Sequence, residues 1–93
     1  MKLLHKPTVV DAVLWADDNR SHHELLDLGY LADNDYFVYE DRGATVGTRT
    51  LLVPTAEGVR PARAGEYWVI RGVRGEWYAI PNDVKAAAYT EVA

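Results

Sequence analysis

Val9-Val10-Asp11-Ala12-Val13-Leu14-Trp15 is an apolar run broken only by Asp11. The run is rich in β-branched and aromatic residues and predicts a strand, with Pro7 just before it. Val10, Ala12 and Leu14 make one wholly apolar face, which is expected to meet the core; Val9, Asp11, Val13 and Trp15 share the other. Ala16 to Arg20 reads as a polar turn. Ser21-His22-His23-Glu24 fits a capping box with Ser21 as the cap. Leu25, Leu26 and Leu28 supply the apolar side of a short helix, and Gly29 is placed to end it. Tyr30 to Asp35 is ambiguous, with Asn34 a turn former.

Tyr36-Phe37-Val38-Tyr39 reads as a strand, and Thr45 to Val53 as its return after a turn at Asp41-Arg42-Gly43. Pro54 is expected to stop the return, and Gly47 in its middle suggests a bulge or a close backbone approach. Thr55 to Gly58 is a turn, and Val59-Arg60-Pro61-Ala62 a short edge strand, because Pro61 cannot donate to a central ladder. The strongest local signal is a pair of aromatic-rich runs, Glu66 to Arg71 and Glu76 to Ile80, joined by Gly72-Val73-Arg74-Gly75. Two such runs around a loop with two glycines predict a β-hairpin. Pro81-Asn82-Asp83 can start a helical turn through Ala88, capped by Asn82 or Asp83, and Tyr89 to Val92 can be a last strand or a docked tail. The sum is an α+β fold: a small, mostly antiparallel β-sheet or partial barrel with one short helix and a C-terminal helical turn.

The length of 93 residues fits one domain, 1–93, with no repeat and no linker long enough to divide it. No apolar run approaches the roughly 20 residues of a membrane helix, and the first seven residues are too short and broken for a signal peptide. No membrane partner is therefore expected. The absence of cysteine excludes disulfides, thiolate metal sites and a thiol nucleophile. A chain this small leans on its 3 Trp and 6 Tyr for a core, and self-association into a homo-oligomer is a reasonable expectation.

Charge changes the picture further. Residues 1–41 hold three basic and nine acidic side chains, net −6, whereas residues 42–93 hold seven and five, net +2. An acidic chain repels a long nucleic acid, so none is expected as partner. Six of the seven basic residues in the second half are Arg, whose rigid fork of donors matches carboxylates and phosphates. Those Arg residues either pair with the acidic first half or bind one small anion.

The candidate site follows from that second possibility. Arg71 and Arg74 lie at and within the hairpin loop, Arg60 precedes it, and Trp77 and Tyr78 follow at once. Guanidinium groups for phosphate and a ring face for a base are what grips a nucleotide. Glu76 or Asp83 would accept from a base or ribose hydroxyl. The competing assignment puts the aromatic rings in the core and the Arg residues on a wet rim. No metal or cofactor is expected: His22 and His23 point about 100° apart on a helix and would not converge on one ion. No nucleophile motif is present, and Ser21 already has a capping role, so an enzyme is not the favoured class.

The segment Ala64-Gly65-Glu66-Tyr67-Trp68-Val69-Ile70-Arg71-Gly72-Val73-Arg74-Gly75-Glu76-Trp77-Tyr78 resembles the C-terminal half of a widespread family of small proteins of tailed bacteriophages and prophages. Thr55 to Gly58, Asp83-Val84 and Tyr89 match it too, as does the opening strand from Lys6 to Trp15; together these cover a little over half the chain. The chain departs from the family pattern at Ala64-Gly65-Glu66, where Pro-Gly-Asp is common, and at Pro81-Asn82-Asp83, where Lys-Pro-Asp is common. The resemblance implies a phage-encoded protein made in the bacterial host cytoplasm. Small phage proteins of this size counter host defence, act as regulators or sit in virions. The leading expectation is a sponge that sequesters a nucleotide-derived immune signal. The alternatives are a protein-interaction module, either a virion component or an inhibitor of a host protein, whose contact surface would be the acidic first half and be lost on neutralising Asp33, Asp35, Glu40 and Asp41, and an enzyme that degrades nucleotide signals.

Overall fold

A computed structural model describes residues 9–89. The expected segments from Met1 to Pro7 and from Thr90 to Val92 lie outside the described residues. The chain forms β1 (Asp11–Leu14), α1 (Asn19–Asp27), α2 (Tyr30–Asn34), β2 (Leu51–Thr55), β3 (Gly58–Ala62), β4 (Tyr67–Arg71), β5 (Trp77–Pro81) and α3 (Asn82–Ala88). The fold is α+β; among the described residues there are two antiparallel sheets, β1-β4-β5 and β2-β3, and no closed barrel.

The β4–β5 hairpin is where the aromatic runs and the two glycines place it. Arg71 pairs with Trp77 and Tyr67 with Pro81, and Gly72 donates its N–H to the Glu76 carbonyl to close the loop. β2 and β3 form a second hairpin around Ala56-Glu57, with Thr55 opposite Gly58. Pro54 does not stop β2. It faces Val59, and Pro61 faces Leu52; both positions alternate with the closing pair, where N–H groups point away from the partner strand, so neither ring costs the hairpin a bond.

The face of β1 is the reverse of the expectation. Val13 and Trp15 are buried, whereas Ala12 is exposed and Leu14 is 37% exposed. Burying an indole of about 150–250 Å² is worth about 4–6 kcal/mol, against about 1.5–3 for a leucine, so Trp15 decides the side. Its ring N–H finds the Arg49 carbonyl at 2.9 Å. Asp11 shares that face but sits at the strand's end, where it stays in solvent. Val13, Trp15, Leu25, Tyr30, Leu51, Val53, Ala62, Val69 and Trp77 form one core cluster between the sheets and the first two helices.

Two caps also differ from expectation. α1 starts earlier, with Asp18 as N-cap: its carboxylate accepts from the Ser21 N–H at 2.8 Å while the Ser21 hydroxyl accepts from the Asp18 N–H at 3.2 Å. Ser21 is thus the third residue of the box rather than its cap, and Glu24 is left to pair with Arg20 at 3.6 Å. α3 has Pro81 at its N-cap with no side-chain bond. Asn82 is not free to cap, because its carbonyl oxygen takes the Trp68 indole N–H at 2.6 Å.

The middle of the chain is the largest departure. Tyr36 to Tyr39 makes one isolated bridge, Tyr39 to Leu51, instead of a strand, and Thr45 to Thr50 curls into turns. The Gly47 and Arg49 N–H groups that a strand would use go to the Asp17 carboxylate.

Candidate functional site

The hairpin residues do not converge on one pocket. Trp77 is 4% exposed; its indole N–H donates to Asp33 Oδ2 at 2.9 Å and its ring meets Tyr30 edge to face. It is a core anchor, with no face open to a base. Arg71, opposite Trp77 in the register, lies on the same face of the sheet. Its guanidinium donates to the Leu28 carbonyl, reaches Asp33 at 3.3 Å and lies over the Trp77 ring at 5.3 Å. It ties the hairpin to the corner between α1 and α2.

Tyr78 is on the opposite face of β5 from Trp77 and is exposed. Glu76 folds back under the loop and accepts from the Arg74 N–H at 2.9 Å. Backbone N–H groups, its own first, hold the Glu76 carboxyl below its usual range against the opposing effect of burial. Burial, and then the Glu76 carboxylate, push the Tyr78 hydroxyl up. Arg74, Glu76 and Tyr78 therefore share the exposed end of the hairpin. Arg60 is on β3 in the other sheet, 3.9 Å from Glu57, and Asp83 is exposed on α3, its carboxylate accepting from the Val84 N–H.

A second constellation has no counterpart in the sequence reading. Asp17 is fully buried and adopts φ +54°, unusual for a residue with a side chain. Arg49 Nη2 reaches its Oδ1 at 2.8 Å, and Oδ2 takes Arg49 Nε at 2.8 Å, Gly47 N–H at 2.8 Å and Arg49 N–H at 3.1 Å. Burial alone would raise the Asp17 carboxyl; the Arg49 guanidinium and the two backbone donors outweigh it and hold the group at about 2. Three of those four donors converge on Oδ2, and the whole carboxylate is buried, so Asp17 is an internal anchor with no face open to a substrate.

The same knot organises its neighbours. Arg49 lies 4.0 Å over the Tyr39 ring, and the Tyr39 hydroxyl meets His22 Nε2 at 2.7 Å. His22 Nδ1 is 2.7 Å from the Asp18 carbonyl, which can only accept, so Nδ1 carries a proton, and a neutral ring then accepts at Nε2 from the Tyr39 hydroxyl. Burial, partly offset by Arg49, pushes the Tyr39 hydroxyl up. Trp15 and Phe37 pack around the His22 ring.

What the knot holds is the connection from Asp35 to Thr50, longer than the about 12–15 residues of ordinary structureless loops. Asp35 starts it with φ +67° and ψ −51°, and the Tyr36 N–H donates to the Asn34 carbonyl at 2.7 Å, a γ-turn. Past this strained turn Tyr36 is 67% exposed, Val46 is 70% exposed and Val38 is exposed as well. Asp41 closes the return, its carboxylate accepting from the Thr50 N–H at 2.6 Å. Sequence reasoning assigns no site role to Asp17, Arg49, His22 or Tyr36. The one local hint was the abrupt polar stretch Ala16-Asp17-Asp18 after an apolar strand, which does not say which carboxylate turns inward.

No family model, curated protein or solved structure matches the chain. Among the described residues no helix is long and apolar enough to cross a membrane.

Proposed function

We propose that the protein is a small phage-encoded interaction module that binds another protein through the segment 35–49 in the bacterial host cytoplasm. It would serve as a virion component or as an inhibitor of a host protein. The observation that carries this reading is the Asp17–Arg49 knot, which ties a long irregular segment to the core at Gly47 and Arg49 while Tyr36, Val38 and Val46 remain in solvent. A loop tied down in this way has less conformational entropy to lose on docking, and tyrosine is a common anchor of protein interfaces.

Nucleotide capture keeps a narrower basis as a second reading. Arg74, Glu76 and Tyr78 share one exposed corner, but Arg71 and Trp77 are occupied by Leu28, Asp33 and the core. A nucleotide would meet one guanidinium there instead of a fork of several.

The test is an affinity capture from bacterial lysate with the whole protein and with a Tyr36→Ser/Val46→Ser variant, read by mass spectrometry. The interaction reading requires a partner that the variant loses. Identical captures sink it. In parallel, the protein is filtered with cyclic dinucleotides and ADP-ribose-derived signals; depletion that depends on Arg74 establishes the second reading instead. Asp33 and Asp41 are unsuitable for neutralisation, since both hold the fold.

A further inference from the structure

Residues 38–40 run along β2 on the side away from β3. Tyr39 bridges Leu51, the Leu52 N–H donates to the Val38 carbonyl at 2.8 Å, and the Glu40 N–H donates to the Thr50 carbonyl at 3.0 Å. Leu51 and Leu52 also pair with Ala62 and Pro61 of β3. A strand has two hydrogen-bonding edges, so the order across this small sheet is 38–40, β2, β3. Its two outer margins differ in chemistry. One presents Asp35, Tyr36, Val38 and Glu40, all exposed. The other presents Val59, Arg60, Pro61 and Arg63, also all exposed.

We infer that these margins are the two halves of one contact, and that the occupant of each is a second copy of this chain. Each margin carries apolar side chains flanked by charge, Asp35 and Glu40 on one and Arg60 and Arg63 on the other, where the exposed Glu57 meets Arg60 only at 3.9 Å and leaves Arg63 to set the sign. Unlike margins attract, whereas a two-fold contact of like margins would set Arg60 and Arg63 against their own copies or Asp35 and Glu40 against theirs. The contact is therefore head-to-tail, with Tyr36 of one copy packing on Val59 and Pro61 of the next, and it builds an oligomer larger than a dimer when extended. Pro61 has no N–H to offer along that edge, which keeps the contact one of side chains instead of a continuous β-ladder. This inference rests on the reading of segment 35–49 as an interaction surface and names one partner for it.

The experiment is sedimentation velocity on the full chain from about 1 μM to about 1 mM, a range that spans weak to moderate affinities. It is repeated at low and high salt, where the screening length falls from about 30 Å at 0.01 M to about 3 Å at 1 M. Two charge variants accompany it. Asp35→Asn/Glu40→Lys makes the acidic margin basic, with Asn chosen because it tolerates the positive φ at 35. Arg60→Glu/Arg63→Glu makes the basic margin acidic. The wild type is expected to associate with concentration and to dissociate with salt, and each variant alone to associate at least about tenfold more weakly. Mixing the two variants restores association, because each supplies the margin that complements the other. A monomeric wild type, an unaffected variant or a mixture without rescue overturns the inference. A monomer that still captures a lysate protein through Tyr36 overturns the self-contact alone and leaves the interaction reading standing.

Discussion

Asp17 and Arg49 make a buried ion pair in which two hydrogen bonds of 2.8 Å run side by side from the guanidinium to the carboxylate, across 32 residues of chain. Arg49 also donates its backbone N–H to the same carboxylate, so one residue contributes three of the four donors. The pair joins the entrance of α1 to the entrance of β2, and everything between Asp35 and Thr50 is arranged around it. A positive φ at a residue other than glycine costs about 1–3 kcal/mol, and here the carboxylate's four bonds oppose that cost.

Acid should weaken the protein through this residue. The Asp17 carboxyl sits at about 2 when folded, below its ordinary 3.8, so the unfolded chain binds the proton more readily. Its stabilisation, at most about 2 kcal/mol, is complete above about pH 4 and is lost as pH falls from there through about 2. Urea midpoints measured at half-unit steps of pH should fall over that window. Asp17→Asn should lower the midpoint at neutral pH by the equivalent of about 3 kcal/mol, because Arg49 loses its charge partner, and should flatten the acid limb. An acid limb of unchanged steepness in Asp17→Asn would assign the acid sensitivity to other carboxylates.

Arg71 should behave as a structural residue. It bonds the Leu28 carbonyl and Asp33, so Arg71→Ala is expected to cost about 2 kcal/mol, whereas Arg74→Ala, at the exposed loop, stays within about 0.5. Gly29 has φ +88°, and a Cβ there would sit 2.8 Å from Arg71 Nη1. Gly29→Ala should therefore cost at least about 1 kcal/mol by itself. Removing Arg71 removes the clash but not the backbone strain, so the double variant should cost less than the sum by about 0.5 kcal/mol or more. Chemical denaturation of the four proteins gives the cycle, and strict additivity would separate the two residues.

The contrast between these two residues shows which features a sequence exposes. The β4–β5 hairpin is written locally: aromatic alternation, two glycines and a short loop lie within one stretch from Tyr67 to Pro81. Its chemistry was less legible, since Arg71 and Trp77 take their roles from Leu28, Tyr30 and Asp33, in a distant part of the sequence. The Asp17–Arg49 pair has no local signature at all. Turn carboxylates are exposed by default, and only the folded path of Thr45 to Thr50 brings four donors to this one. For β1 the strand was readable from its β-branched and aromatic residues, but its inward side was not, because the choice lay in where the Trp15 indole could be buried and its N–H satisfied.

Tyr39→Phe isolates one strand of the knot. Phenylalanine keeps a ring beneath Arg49 and deletes only the hydroxyl that donates to His22 Nε2. The expected loss is about 1 kcal/mol, the ordinary worth of a hydrogen bond. Amide exchange should speed up at Leu52 and Glu40, whose N–H groups close the pairing between residues 38–40 and β2, before it does in the β4–β5 hairpin. Uniform acceleration across both sheets would mean that the knot belongs to the global core and not to the loop.

The start of α1 offers a sharper discrimination between two capping schemes that use the same serine. If Ser21 were the cap with Glu24 as its partner, Glu24→Ala would strip a backbone N–H of its acceptor. In the structure Asp18 is the cap, Ser21 answers it, and the Asp18 carboxyl is held below its usual range by the Ser21 backbone and hydroxyl donors. Asp18→Ala should then lower the thermal midpoint clearly, since it leaves the Ser21 N–H without its acceptor. Ser21→Ala should also destabilise, because the hydroxyl is buried and bonded to Asp18. Glu24→Ala loses only a partly exposed pair with Arg20 and should stay within about 0.5 kcal/mol of the wild type. The folded-state pKa of Asp18 lies below its unfolded value, so its share of the stability is present above that unfolded value and fades as pH falls through the folded one. Thermal melts of the three variants at neutral pH rank the schemes: a larger loss for Glu24→Ala than for Asp18→Ala would restore Ser21 as the cap.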